Sequence, residues 1–204
     1  MSILLGLTPF IVFFVLMRLV HPLAGLGAAF AVSVLMGFVQ WRRGESIKVL
    51  EVGSLVLFGA LTLYTLIAAP QWTVATVRLA VDGGLFIIAA VSLLIRQPFT
   101  LQYARESVPQ ELWTSPIFFT TNVCITAVWT AAFAVMTAAD AAAQYVEAIP
   151  LWVDIAATIA AFVGAVWFTR WYPAVVRRRF GLAGNAGSPH PNPPALAGEG
   201  REGA

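Results

Sequence analysis

Apolar residues run along this chain in long blocks, broken at intervals by prolines and short polar stretches. A bilayer core of about 30 Å needs roughly 20 apolar residues per helix. Six blocks approach that length: Ile3–Val20, Pro22–Trp41, Val49–Ala69, Thr76–Ile95, Phe118–Ala139 and Leu151–Trp171. Pro22, Pro70, Pro150 and Pro173 punctuate the gaps, and Pro98, Pro109 and Pro116 mark the polar stretch before the fifth block. Only Pro9 falls inside a block, where it is expected to bend the first helix or limit its N-terminal turn. The pattern predicts an all-α polytopic transmembrane bundle of about six membrane-embedded helices. The first block is shortest and meets the second through Val20-His21-Pro22, so a tight helical hairpin is expected, with a re-entrant half-span as the alternative.

Composition narrows the class. Of 204 residues, 59% are hydrophobic and 11% charged, against about a quarter charged in a soluble domain. The first block lacks a basic leader before it and reads as a retained helix. Positive charge is uneven. With the N-terminus inside, Arg42, Arg43, Lys48, Arg96, Arg105, Arg170 and Arg177–Arg179 fall on the cytoplasmic side. Arg18 and Arg78 fall outside, with Asp82, Asp140, Glu147 and Asp154. Nine basic residues against two predict cytoplasmic N- and C-termini. Trp41, Trp72, Trp113, Trp152, Trp167 and Trp171 fall near block ends, as interfacial anchors do; Trp129 is mid-block and should face another helix.

The stretch Arg96–Pro116 is the longest polar interruption before the C-terminal tail. Arg96, Phe99, Tyr103, Arg105 and Trp113 suit a short helix at the cytoplasmic membrane surface between the fourth and fifth transmembrane helices, with an ordinary loop as the alternative. Residues 1–180 thus form the transmembrane domain. Gly181–Ala204 is Gly/Pro/Ala-rich and aperiodic, and is expected to be a disordered cytoplasmic tail. Small residues recur every four positions as Gly25, Ala29, Ser33 and Gly37, as Ala156, Ala160 and Gly164, and as Ala157, Ala161 and Ala165. Such rows let helices approach closely, within the bundle or in a homo-oligomer.

Charges within a span are costly and mark candidate sites. Arg78 and Asp82 stand one helical turn apart, and mutual neutralisation is the first expectation. A wider reading adds Arg18, His21 and Asp154 as one outer polar cluster, able to hold a lipid head group or relay protons. At the inner side, Lys48 and Glu51 are expected to pair; Asn122 and Thr126 are placed to bond across helices. Cys124 is the only cysteine and reads as a small buried residue. There is no phosphate-binding Gly-rich loop, metal-spaced His pair, G-x-S-x-G or aspartate cluster. The residues therefore point away from an enzyme, a cofactor or a nucleic-acid partner, and no catalytic or metal residue is assigned.

The ordered features resemble the intracellular septation protein A family, bacterial inner-membrane-spanning proteins of the YciB type. The resemblance rests on Pro9-Phe10-Ile11-Val12-Phe13-Phe14 followed by Arg18, on Trp41-Arg42-Arg43, and on Phe58-Gly59-Ala60-Leu61-Thr62-Leu63-Tyr64. Trp72, Arg96-Gln97-Pro98-Phe99, Pro109 with Trp113, and Arg170-Trp171-Tyr172-Pro173 extend it over nearly the whole chain to Pro173. Thr73 replaces the family's basic residue, and a Leu-Asn pair after Trp113 is missing, which marks a remote branch. The resemblance implies a non-enzymatic role in envelope maintenance, elongation and septation at the inner membrane, through contacts with cell-division or wall-synthesis proteins. A small membrane carrier or channel for a lipid or ion, using the outer polar cluster, is the alternative.

Overall fold

The computed structural model describes residues 5–46, 48–146 and 150–180. The expected tail, Glu147 and the first residues of the opening block lie outside the described residues. Seven α-helices follow one another, with no strand among the described residues: α1 Thr8–Leu19, α2 Pro22–Arg43, α3 Val49–Ala68, α4 Val74–Leu94, α5 Phe99–Arg105, α6 Pro116–Tyr145 and α7 Leu151–Arg179. Five of them, α2, α3, α4, α6 and α7, are long and apolar enough to cross a membrane. The chain is a multi-pass helical membrane bundle.

Helix α1 has 12 residues, about 18 Å at the usual rise, and so is shorter than a bilayer core. Pro9 sits in its first turn, where a missing N–H costs no helical bond. The His21 ring then caps α2, Nδ1 accepting from Leu23 N at 3.1 Å, and Pro22 opens that helix. The chain therefore turns back at once, as a hairpin. Gly25 makes the close return feasible: a Cβ there would stand 3.0 Å from Phe13 O and Met17 N. Phe10 and Phe13 reach past α2 to Phe58 of α3, with ring centroids 5.0 and 5.8 Å apart. All three rings are buried.

The neighbours along the chain pack as α1–α2–α3–α4, while α6 packs against both α4 and α7. Gly53 and Gly84 bring α3 and α4 together, since a Cβ at either would run into Ile88 or Leu57. Trp129 faces another helix as expected: its Nε1 donates to Thr169 Oγ1 of α7 at 2.9 Å, and its ring meets Phe162 edge-on. Of the small-residue rows, Gly25, Ala29 and Ser33 are buried. Ala165 is buried with Ala157 and Ala161 half-buried, whereas Ala156, Ala160 and Gly164 face outward.

Three expectations need correction. The last two blocks are longer as helices than as apolar runs, 30 residues in α6 and 29 in α7. Helix α7 continues through Pro173 to Arg179; the missing N–H removes only one bond near a helix end. The polar stretch does form a short helix, α5, followed by a 3-10 turn at Gln110–Leu112. Its apolar face, however, enters the bundle: Phe99, Thr100, Leu101 and Tyr103 are buried. Arg96 and Arg105 are exposed and Trp113 is half-buried, with the Arg105 guanidinium 5.5 Å from its ring centre, so these three of the five keep the expected surface character while Phe99 and Tyr103 do not. Polar bonding explains the difference. Thr100 Oγ1 meets Thr126 Oγ1 at 2.7 Å and Asn122 O at 3.0 Å, which ties α5 to α6. Thr126 thus bonds across helices, while the Asn122 side chain donates to Phe118 O within α6.

Candidate functional site

The charged residues gather at two opposite ends of the bundle. At the end with fewer cations, Thr73 caps α4, its hydroxyl accepting from Thr76 N at 3.1 Å, and Arg78 follows in the next turn. Helices α6 and α7 bring Asp140 and Asp154 against it. Arg78 Nη1 donates to Asp154 Oδ2 at 2.6 Å, and Nη2 reaches Asp154 Oδ1 and Thr158 Oγ1, both at 3.4 Å. Nη2 also lies 2.8 Å from Asp140 Oδ1. The expected Arg78–Asp82 pair is therefore replaced by a three-helix ion cluster. The reason is directional: helical side chains lean toward the N-terminus, so an Arg four residues before an Asp is the poorer i,i+4 orientation. Arg78 extends toward the helix end, where α6 and α7 supply carboxylates.

Asp82 lies one turn deeper and is fully buried; neither of its carboxyl oxygens has a hydrogen-bond donor. Its side chain interacts with that of Asp140. Asp140 and Asp154 are 1% and 2% exposed. Three buried carboxyls thus face one guanidinium, and full ionisation would leave 1 − 3 = −2 in the cluster. Such an excess is expensive away from water.

A cavity of about 660 Å³ opens onto this cluster, walled by α1, α4, α6 and α7. Arg18, Arg78, Asp140 and Asp154 are its charged lining, with Phe14 and Ile159 among its apolar walls. Of the five residues expected to cluster, Arg18, Arg78 and Asp154 share this cavity and Asp82 lies behind it. His21 does not line it, because its ring is spent on capping α2. Asp140 is the member the sequence reading missed. It follows Asn122, Thr126, Trp129, Phe133 and Met136 at spacings of four and three along the buried stripe of α6, and that spacing was the available signal.

At the opposite end Lys48 is the hub. Its Nζ lies 2.7 Å from Glu106 and 3.7 Å from Glu51, and 5.0 Å from the Tyr103 ring centre. The expected Lys48–Glu51 pair is present but Glu106 is the nearer partner. Gln40 Nε2 of α2 donates to Glu51 Oε1 at 2.6 Å, and Val49 N donates to Gln102 Oε1 at 2.7 Å. Burial pushes the Lys48 ammonium pKa down, but Glu106, Glu51 and Glu45 outweigh it and hold it above 10.5. Burial, with Glu51 and Glu106 nearby, pushes the Tyr103 phenol up. These contacts clasp α2, α3 and α5 together. Beside them, α5, α6 and α7 enclose a mainly apolar groove of about 810 Å³ with Arg170 and Arg177 among its lining.

Among the described residues, no three His, Cys, Asp or Glu side chains gather where they could hold a metal ion. Comparison of the chain with family models, with curated proteins and with solved structures finds no match.

Proposed function

We propose that this protein is a small ion carrier of the bacterial inner membrane, non-enzymatic, with both termini cytoplasmic, working through the polar cavity bounded by α1, α4, α6 and α7. One observation carries the reading: a guanidinium shared by carboxylates from two other helices lines a cavity, and with the buried Asp82 behind it three carboxyls stand against the two cations Arg18 and Arg78. Ionisable groups inside transmembrane segments belong by default to ion or substrate paths. A purely structural clamp would need one carboxylate for Arg78, and this site has two in contact and a third behind them. The acid excess favours a cation over an anionic lipid head group.

The test is electrogenic flux in liposomes. Vesicles holding the wild-type protein should pass charge when an ion gradient is imposed, and Asp154→Asn should reduce that current several-fold. Currents no greater than in protein-free vesicles, across gradients of protons and alkali ions, would overturn the reading.

A second reading keeps the role that the family resemblance implies, envelope support through membrane-protein contacts. The outward row Ala156, Ala160 and Gly164 on α7 favours it, since that row is exposed and meets no partner helix among the described residues, and small residues permit close helix contact. Crosslinking in cells followed by mass spectrometry should recover division or wall-synthesis membrane proteins. Recovery of none of these would count against it.

A further inference from the structure

We propose that Asp82 and Asp140 form a proton-binding site, one proton held between the two carboxyls and exchanged with the cavity through the Arg78–Asp154 contact. This rests on the carrier reading and names its ion.

Asp82 is fully buried on α4, and both its oxygens lack a donor. Its neighbour is a second carboxyl, that of Asp140 on α6. Two ionised carboxylates are acceptors only and cannot bond each other; one proton turns the contact into an O–H···O⁻ bond. That proton reduces the charge excess of the cluster from −2 to −1. Arg18 on the cavity wall, from α1, supplies the remaining positive charge. Among the described residues, the charges facing the pair are Arg78 from α4 itself, Asp154 from α7 and Arg18 from α1. Helix α3 adds none at this end, because Glu51, its only charged residue, belongs to the clasp at the other.

An alkali cation is a weaker candidate. Cation sites in transporters recruit carbonyl oxygens from broken helices. Asp82 and Asp140 both lie within continuous helices, whose carbonyls are already bonded to amides four residues on. A proton needs only the carboxyl oxygens that are there.

The release step balances simply. The O–H bond breaks, the proton passes to water in the cavity, and two carboxylates remain. Arg78 is one helical turn from Asp82, so its guanidinium can then turn from Asp154 toward the new charge. Proton release is thereby linked to loosening of the α4–α7 contact, the kind of two-state element that a carrier requires.

Infrared spectroscopy of the full-length protein in nanodiscs tests this without any flux assay. At neutral pH the wild type should show the carbonyl band of a protonated carboxyl, shifted in D₂O. Asp82→Asn should abolish the band, because Asp140 then pairs with Arg78 alone. Asp154→Asn should retain it. Absence of the band in the wild type, or its survival unchanged in Asp82→Asn, would overturn the proposal. So would a band seen only when sodium is removed, which would make the pair an alkali-ion site. If Asp82→Asn failed to accumulate, Asp140→Asn would serve, with a shifted band expected and an unchanged one contrary. Failed flux with an intact band would refute the carrier reading alone; flux without the band would refute the proton site alone.

Discussion

The ranking of single substitutions in the ion cluster follows from which carboxylate holds Arg78. Asp154 makes two contacts to the guanidinium, at 2.6 and 3.4 Å, and Asp140 one at 2.8 Å. Asp82 makes no ion pair with it among the described residues, although it is the Asp at helical spacing. Removing Arg78 leaves buried carboxylates without their cation, a loss on the order of 3–5 kcal/mol where such pairs are fully desolvated. Asp154→Asn removes a charged hydrogen-bond partner, a loss of about 1.5–3 kcal/mol. Asp82→Asn removes a buried carboxyl that has no donor. It should cost close to nothing, or stabilise slightly, because an amide brings its own donors.

Double-mutant cycles separate these outcomes from general damage. Arg78→Gln combined with Asp154→Asn should show coupling on the order of 1 kcal/mol, since polar contacts in membranes fall below their expected strength. Arg78→Gln combined with Asp82→Asn should show less than about half of that. Unfolding in mixed micelles, followed by tryptophan fluorescence, measures all five variants on one scale. If Asp82→Asn costs as much as Asp154→Asn, and couples to Arg78 as strongly, then Arg78 pairs within its own helix in the membrane and the three-helix cluster is refuted.

Three further outcomes are expected. Gly25→Leu should destabilise by about 1–3 kcal/mol through overpacking, because the backbone of α1 faces Gly25; Gly37→Leu, with open space around it, should be near neutral, and equal costs in the same unfolding assay would refute the α1–α2 packing. The raised Lys48 pKa contributes stability that is fully present below 10.5 and is lost as pH rises through the higher folded value. Alkaline unfolding of the wild type should therefore show a drop above pH 10.5 that Lys48→Met lacks, and a drop of the same size in Lys48→Met would assign it to another group. Reporter fusions at Arg105, Tyr145 and Arg179 should read inside, outside, inside, and an inside reading at Tyr145 would reverse the topology.

Much of the bundle was legible because a membrane imposes one simple requirement on sequence. Each long helix coincides with an apolar block, and the prolines at 22 and 116 open helices, as their missing N–H groups allow. What the blocks concealed is how far helices extend beyond the apolar part. Bilayer thickness limits the hydrophobic run, not the helix, so α6 continues six residues past Ala139 to Tyr145. Asp140 lies in that overhang between alanines, one residue past the end of the apolar block. The stripe Trp129, Phe133, Met136, Asp140 ties it to the helix, because a residue at that spacing shares the buried face.

The fate of Arg78 and Asp82 turns on a different limit. Spacing along one helix shows which residues share a face, but says nothing of what stands opposite. Arg78 has a long side chain that can run to the helix end, and two carboxylates from other chain segments meet it there. The short side chain of Asp82 has no such reach and meets what α6 presents one turn deeper, another carboxyl. Pairing inside the helix would have taken the guanidinium contact from both Asp140 and Asp154, which costs more than leaving Asp82 to share a proton. The arrangement follows from that balance, and so a site read from α4 alone appears as a neutral pair, while the assembled bundle exposes an acidic one.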